Sequence, residues 1–353
     1  MLTRITLMLV VGALASAAGG TSITLERIAT VDFTGQIQGD NLTSVAWDGT
    51  NLYVAPYTNT ARDVAITAAD NALTAPMFRS FGAVTVTAYR GYSGLTINQF
   101  GQLGAVVCST GAALGTNVGI YDAATGALIT NAPSTATTAG GGGAPRTGPA
   151  WDPIKGGLVF TNFGSGRHRQ IDAAGNALWT DAAGPYNYDA MWGTAWMDTD
   201  IDANGNVYSR EGQQIIKFTR TGPDTFQAPF TADMNLTPQF YPSDGDGTFG
   251  LNLAILEGFD VILWNDRTDT GGGQLAENVL KAIDLEGNVV DLVFANSPSD
   301  FLGNAMFDFS YDPVSQTLAV SEFSSNRVYI YNVTPEPAAL ALLAMAVGLI
   351  RRR

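Results

Sequence analysis

The feature that most constrains this chain is a phrase that returns six times: an apolar run, an acidic or amide turn, and a second apolar run. It occurs around Asp48-Gly49-Thr50-Asn51, Asn98-Gln99-Phe100-Gly101, Asp152-Pro153, Asp202-Ala203-Asn204-Gly205, Glu257-Gly258 and Asp312-Pro313. The turn residues Asp48, Asn98, Asp152, Asp202, Glu257 and Asp312 are separated by 50, 54, 50, 55 and 55 residues. Asp or Asn beside Gly, between two apolar runs, is hairpin chemistry, because these residues tolerate positive φ and bond their own backbone. A second hairpin follows in most repeats, as at Asp122-Ala123-Ala124-Thr125-Gly126, Asp172-Ala173-Ala174-Gly175-Asn176 and Asp284-Leu285-Glu286-Gly287-Asn288. Each repeat therefore predicts four antiparallel strands.

A period near 53 residues is that of propeller blades, whereas helical solenoids repeat faster and with a helical pattern. The phrases resemble the blades of NHL-like and related six-bladed propellers. The fold class expected is all-β: a six-bladed β-propeller with four-stranded antiparallel blades over residues 18–333, with a tandem β-sandwich as the alternative. The last repeat offers three clear strands, the third at Arg327-Val328-Tyr329-Ile330-Tyr331. Residues 23–33 supply a spare strand that would close the ring as the outer strand of the last blade, bringing the N-terminal end beside the exit to the C-terminal segment.

The two ends read differently from this body. Residues 1–17 combine a basic start with Arg4, an apolar stretch and Ala15-Ser16-Ala17, the pattern of a cleaved signal peptide with its signal helix. The C-terminal segment, residues 335–353, opens with Pro335-Glu336-Pro337, continues through an apolar run at 338–350 and ends on Arg351, Arg352 and Arg353. Proline disfavours helix and sheet, so the first part should be extended and accessible. The apolar run suits a hydrophobic transmembrane helix of roughly 20 Å, short against a hydrocarbon core of about 30 Å. Terminal arginines resist translocation and give membrane retention.

This order of parts resembles the PEP-CTERM sorting signal of exported bacterial proteins. The resemblance implies an exosortase-type sorting enzyme and signal peptidase as partners, transient anchoring in the inner membrane, and export to the cell surface or the extracellular matrix. Exopolysaccharide or matrix proteins are the partners expected there.

The chain carries −14, and four of its basic residues lie in the end segments, leaving about −18 on the body. Such acidity speaks against nucleic acid as a partner. Cys108, the single cysteine, lies in an apolar run and reads as a buried strand residue; no intrachain disulfide can form. His168 is the single histidine, so histidine-based catalysis would have to use it, and its Gly-Arg surroundings read as an exposed turn. Gly140 to Gly143 read as a flexible loop, residues 183–196 and 221–250 as insertions, and Asp244-Gly245-Asp246-Gly247 and Asn265-Asp266-Arg267-Thr268-Asp269 as solvated acidic turns.

Calcium is the one candidate cofactor. The segment from Asp200 to Glu211 matches the spacing of an EF-hand loop. Its flanks read as strands rather than helices, so the candidate metal site is a non-helical one using Asp198, Asp200, Asp202 and Asn204. No catalytic residue is assigned. The body is expected to be a non-enzymatic binding or structural protein; the alternative is a metal-dependent propeller hydrolase or lactonase acting on extracellular substrates. Three or more Asp, Glu or Asn side chains meeting at the channel mouth would favour the enzyme.

Overall fold

The computed structural model describes residues 22–58, 60–86, 91–107, 118–131, 148–162, 167–179, 197–211, 214–227, 252–269, 275–296, 306–323 and 325–335. The signal segment, Cys108, Gly140 to Gly143, residues 183–196 and 228–251 and everything after Pro335 lie outside them. Among the described residues no helix is long and apolar enough to cross a membrane.

The described chain is all-β. It begins with β1 (Ser22–Asp32). The first repeat is β2 (Asn41–Trp47), β3 (Leu52–Tyr57), β4 (Arg62–Asp70) and β5 (Met77–Val86), and the second is β6 (Tyr92–Ile97), β7 (Gln102–Val107), β8 (Val118–Asp122) and β9 (Leu128–Asn131). The third contains β10 (Ala150–Trp151), β11 (Leu158–Asn162), β12 (Arg167–Ile171) and β13 (Ala177–Trp179). The fourth has β14 (Met197–Ile201), β15 (Val207–Glu211) and β16 (Gln214–Phe218), then a hairpin of β17 (Arg220–Gly222) and β18 (Thr225–Phe226). The fifth is β19 (Leu253–Leu256), β20 (Val261–Asp269), β21 (Leu275–Asp284) and β22 (Val289–Phe294), and the sixth β23 (Met306–Asp312), β24 (Thr317–Glu322) and β25 (Arg327–Pro335). Within each repeat successive strands pair antiparallel in a meander, except that the fourth repeat has a three-stranded sheet, β14-β15-β16, in place of the expected four strands, and β17–β18 stand as a separate two-stranded sheet.

The hairpin turns fall where the repeated phrase places them. Asp202 Oδ1 accepts the backbone N–H of Asn204 at 3.0 Å and of Asn206 at 2.8 Å, and Oδ2 accepts Asn206 Nδ2. Asp172 and Asp284 make the same three bonds in the second hairpins of repeats three and five. At Gly205 the chain takes φ +78°, and an added Cβ would meet Arg220 and Ile154, so a larger residue is opposed by both backbone and space.

Strand β1 pairs antiparallel with β25, with Ile23 opposite Pro335 and Asp32 opposite Arg327. It thus completes the sixth repeat from the far end of the chain, as the spare strand predicted. The second partner of β1 was not foreseen: Ser22 to Leu25 run parallel to Asp291 to Phe294 of β22. That pairing joins the fifth and sixth repeats into one eight-stranded sheet, ordered β19-β20-β21-β22-β1-β25-β24-β23. Strand β25 also extends through Pro335, so this proline closes a strand instead of standing free of the sheet. A proline is tolerated there because a strand end needs no further N–H.

Apolar side chains gather between consecutive repeats. One cluster joins Ala46, Tyr53 and Val64 to Leu95, Leu103 and Tyr121; the next joins Val106 and Ile120 to Leu158 and Phe160. Others follow between repeats three and four, four and five, and five and six, Ile23 and Leu25 entering the last of these. A further cluster packs Ala319, Val328 and Ile330 against Val45, Trp47 and Leu52, taking the sixth repeat back to the first. First strands of successive repeats are neighbours throughout, β2 with β6, β6 with β10, β10 with β14, β14 with β19, β19 with β23, and β23 with β2.

Two sequence expectations fail here. Asn265 to Asp269 form no turn; they continue β20, opposite β21. The hairpin runs on past its apolar stretch because the polar residues keep pairing with β21, with one register shift between Thr268 and Asp269. Residues 221–226, the start of the expected insertion 221–250, belong with Arg220 to the β17–β18 hairpin.

Candidate functional site

Four residues before five of the six turn residues stand Ser44, Gly94, Gly148, Asp198 and Asp308, and Asn252 takes this place in the fifth repeat. All lie in or just before a first strand, where the repeats approach most closely. In repeats one to three the residue is small. In repeats four to six it is polar and forms a connected group.

Asp198 accepts the N–H of Thr199 through Oδ1 at 2.9 Å and that of Leu253, in the next repeat, through Oδ2 at 2.8 Å. Two residues on, and so on the same face of β14, Asp200 bonds Ile201 N–H and Ile255 N–H, both at 2.8 Å. The sixth repeat does likewise to the first: Asp308 Oδ2 accepts Val45 N–H at 2.8 Å and Ser310 Oγ accepts Trp47 N–H at 2.9 Å. First strands lack a partner strand on their inner edge, leaving backbone donors that must be satisfied. These side chains supply the acceptors.

Adjacent residues serve the two carboxylates: Asn252 Nδ2 donates to Asp308 Oδ1 at 2.8 Å, and the N–H of Leu253 donates to Asp198. Asn252 N–H donates to Asn265 Oδ1 at 3.0 Å, and Arg210 Nη1 donates to Asn265 Oδ1 at 2.6 Å and to the Asn252 carbonyl at 3.0 Å. Arg210 stands opposite Asp198 in the β14–β15 register and lies over the Trp264 ring, 5.4 Å from its centroid. Asp198, Asp308, Arg210 and Asn265 are all buried. On the small-residue side, a methyl group on Gly148 would run into the Asp198 carboxylate, and one on Gly94 would run into the Gly148 backbone. The first strands close tightly at this level.

Burial dominates the titration of these acids. It pushes Asp198 up to about 7 against the opposing pull of the Leu253 and Thr199 N–H groups and of Arg210. Asp200 is likewise raised to about 7, first by burial and then by the neighbouring Asp198 and Glu257 charges. Asp308 is raised well above the usual carboxylate range, by burial first and by the Asp198 charge second.

The proposed metal ligands are not gathered around one point. Asp198 and Asp200 reach across to β19, Asp202 organises its own turn, and Asn204 is exposed at the tip of that turn. The flanks of this segment are strands β14 and β15. Among the described residues, no three His, Cys, Asp or Glu side chains are grouped to hold a metal ion. Of the sorting residues, Pro335 ends β25; Glu336, Pro337, Arg351, Arg352 and Arg353 lie outside the described residues.

His168 is no exposed turn residue. It sits within β12, 3% exposed, with Nε2 2.6 Å from Ser209 Oγ and its ring edge-on to Phe218. Ser209 Oγ is in turn 3.1 Å from Thr199 Oγ1. Packing of β12 against the fourth repeat draws this polar stretch inside. A serine and histidine meeting here are both buried, which suits an internal bond between repeats more than chemistry on a substrate.

Sequence reasoning found Asp198 and Asp200 but missed Arg210, Asn252, Asn265 and Asp308. Two of the four missed residues, Asn252 and Asp308, can be found from their offset before the repeated turn, five residues before Glu257 and four before Asp312, beside Asp198 four before Asp202.

No family model matches the chain, and no curated protein is similar to it. Among solved structures, a structural genomics protein of unknown function from Bacteroides thetaiotaomicron superposes with a TM-score of 0.53 at 13% identity, covering 89% of this chain and 76% of that one. A protein of unknown function from Bacteroides caccae gives a TM-score of 0.45 at 13% identity, over 74% of this chain and 84% of that one. The first likeness concerns the fold alone.

Proposed function

We propose that the body is a six-bladed β-propeller that serves as a non-enzymatic binding or structural protein, exported and sorted to the cell surface or matrix through a PEP-CTERM-type tail. The propeller reading draws support from the order of apolar clusters, which passes through the repeats and returns from the sixth to the first. A tandem sandwich would instead place its apolar residues in two separate cores. The non-enzymatic reading rests on one observation: the Asp198, Asp200 and Asp308 carboxylates are taken up by backbone N–H groups of another repeat. They bind the ring to itself.

Localisation follows from the two ends of the sequence. Mass spectrometry of the exported protein tests it: a mature form lacking residues 1–17 and Arg353 is expected, and an intact C-terminus would overturn the sorting. Exopolysaccharide or matrix protein is the partner class, to be tested by co-sedimentation of the mature protein with extracellular polymer.

The metal-dependent hydrolase or lactonase remains the second reading, favoured by the meeting of Asp198, Asn252 and Asp308. Ester or lactone turnover that is lost in Asp308→Asn, with folding retained, would establish it. Thermal unfolding with calcium and with chelator tests the calcium site; equal midpoints in the two would dismiss it.

A further inference from the structure

First strands of neighbouring repeats run the same way: Asp198 and Asp200 reach Leu253 and Ile255 in step, as Asp308 and Ser310 reach Val45 and Trp47. In a meander the turn after the first strand and the turn after the third share an end of the sheet. Both sets of hairpin turns therefore gather where the first strands finish. They touch there: Gly205 backs onto Ile154, Gly49 onto Asp312 and Ser315, and Tyr311 Oη donates to the Glu257 carbonyl at 3.4 Å. This end holds large apolar side chains in water. Val314, Phe100 and Ile154 stand in first turns, 92%, 76% and 49% exposed; Val289, Met77 and Leu128 directly follow second turns, 80%, 61% and 49% exposed. The charge around them is mostly of one sign. Arg79, Lys155 and Arg220 are each held by an acid of their own, Asp70, Asp224 and Asp152, while Asp260, Asp284, Glu286 and Asp312 add negative charge at the same turns.

We infer that the turn end of the body docks a protein segment that is both basic and aliphatic. The inference names the partner of the binding protein proposed above and rests on that reading. Turns are built from polar residues and glycine, so large apolar groups gathered at one end of a molecule mark a contact surface. Val314, Val289 and Phe100 offer a partner's Leu or Val side chains a place to leave water. The acids between them give complementary charge, which fixes orientation and raises the association rate. A sugar polymer fits this end less well. Sugars lie against flat aromatic rings, and of the six exposed residues only Phe100 has one. An anionic polymer or an anionic membrane would meet its own charge.

The test is fluorescence anisotropy of the exported protein with a labelled peptide that alternates Lys and Leu. The triple variant Phe100→Ser, Val289→Ser, Val314→Ser should weaken binding on the order of tenfold, the scale of losing two or three partly buried apolar contacts. Asp260→Asn with Glu286→Gln should weaken it too and reduce its sensitivity to salt. Ile28→Ser with Val293→Ser, which alters exposed apolar residues inside β1 and β22, should leave it unchanged. Near-ultraviolet dichroism matching the parent shows that each variant is folded. Equal binding by wild type and the triple variant overturns the proposal, as does equal binding of a peptide with Ser in place of Leu. Extracellular polysaccharide that binds wild type and is lost from the triple variant would assign this end to sugar instead. No peptide binding, with extracellular polymer still co-sedimenting, overturns the basic partner alone; absence of both overturns the binding reading with it.

Discussion

At the scale of single residues, the informative contrast is between two uses of aspartate. Asp202, Asp172 and Asp284 fold their own turns, with donors two to four residues away. That chemistry is local, and the hairpins were legible from their residues. Asp308 serves Val45, 263 positions distant, and no local pattern reports such a bond. Replacing Asp308 by Ala leaves Val45 N–H, Phe309 N–H and the Asn252 amide without their acceptor, and should cost about 3–5 kcal/mol, measurable by urea unfolding. Acidity should act in the opposite sense to common acid denaturation. Asp198 and Asp200 hold their protons in the folded chain up to about 7, whereas unfolded aspartates release them near 3.8. The folded state then binds more protons between these values, and stability falls as pH rises through 7. The melting temperature should be higher at pH 5.5 than at pH 8, and Asp198→Asn should flatten that dependence.

At the scale of elements, the β17–β18 hairpin shows why an apparent insertion can be structural. Arg220 reaches from it to the third repeat, where Nη2 lies 2.5 Å from Asp152 Oδ2, and both side chains are almost fully buried. Lys155 and Asp224 form a second, more exposed pair at 2.9 Å between the same parts. Arg220→Ala strands a buried carboxylate and should cost about 3–5 kcal/mol, whereas Lys155→Ala should cost no more than about 1 kcal/mol; chemical denaturation of the two variants gives the comparison. In sequence this hairpin is short and turns at Gly222-Pro223, so its polar residues read as loop. His168 misled for the same reason. Its Gly and Arg neighbours suggest solvent, but the fourth repeat covers it. Long, regular elements such as β2, β24 and β25 carried enough apolar residues to be recognised without their partners.

At the scale of the whole molecule, the period of the turns carried the all-β class and the pairing of β1 with β25, since both follow from counting strands. The parallel contact between β22 and β1 could not be counted in that way, because it joins strands of two different repeats. The polar group on the first strands predicts an order of protection. Backbone amides of Val45, Trp47, Leu253 and Ile255, bonded to side chains of the preceding repeat, should exchange with deuterium only on global opening. Amides on the exposed edges of β5 and β9 should exchange far sooner.

Because Ile23 faces Pro335 across one sheet, the linear order of the repeats is incidental to the shape they make. A short peptide joining Pro335 to Ser22 would leave each ladder in place. New ends could then be cut at the exposed tip beside Gly101 or Gly156, where the surroundings are open. Such a circular permutant should recover the parent's near-ultraviolet dichroism, and would turn a chain that now starts in its last sheet into one that starts in its second or third.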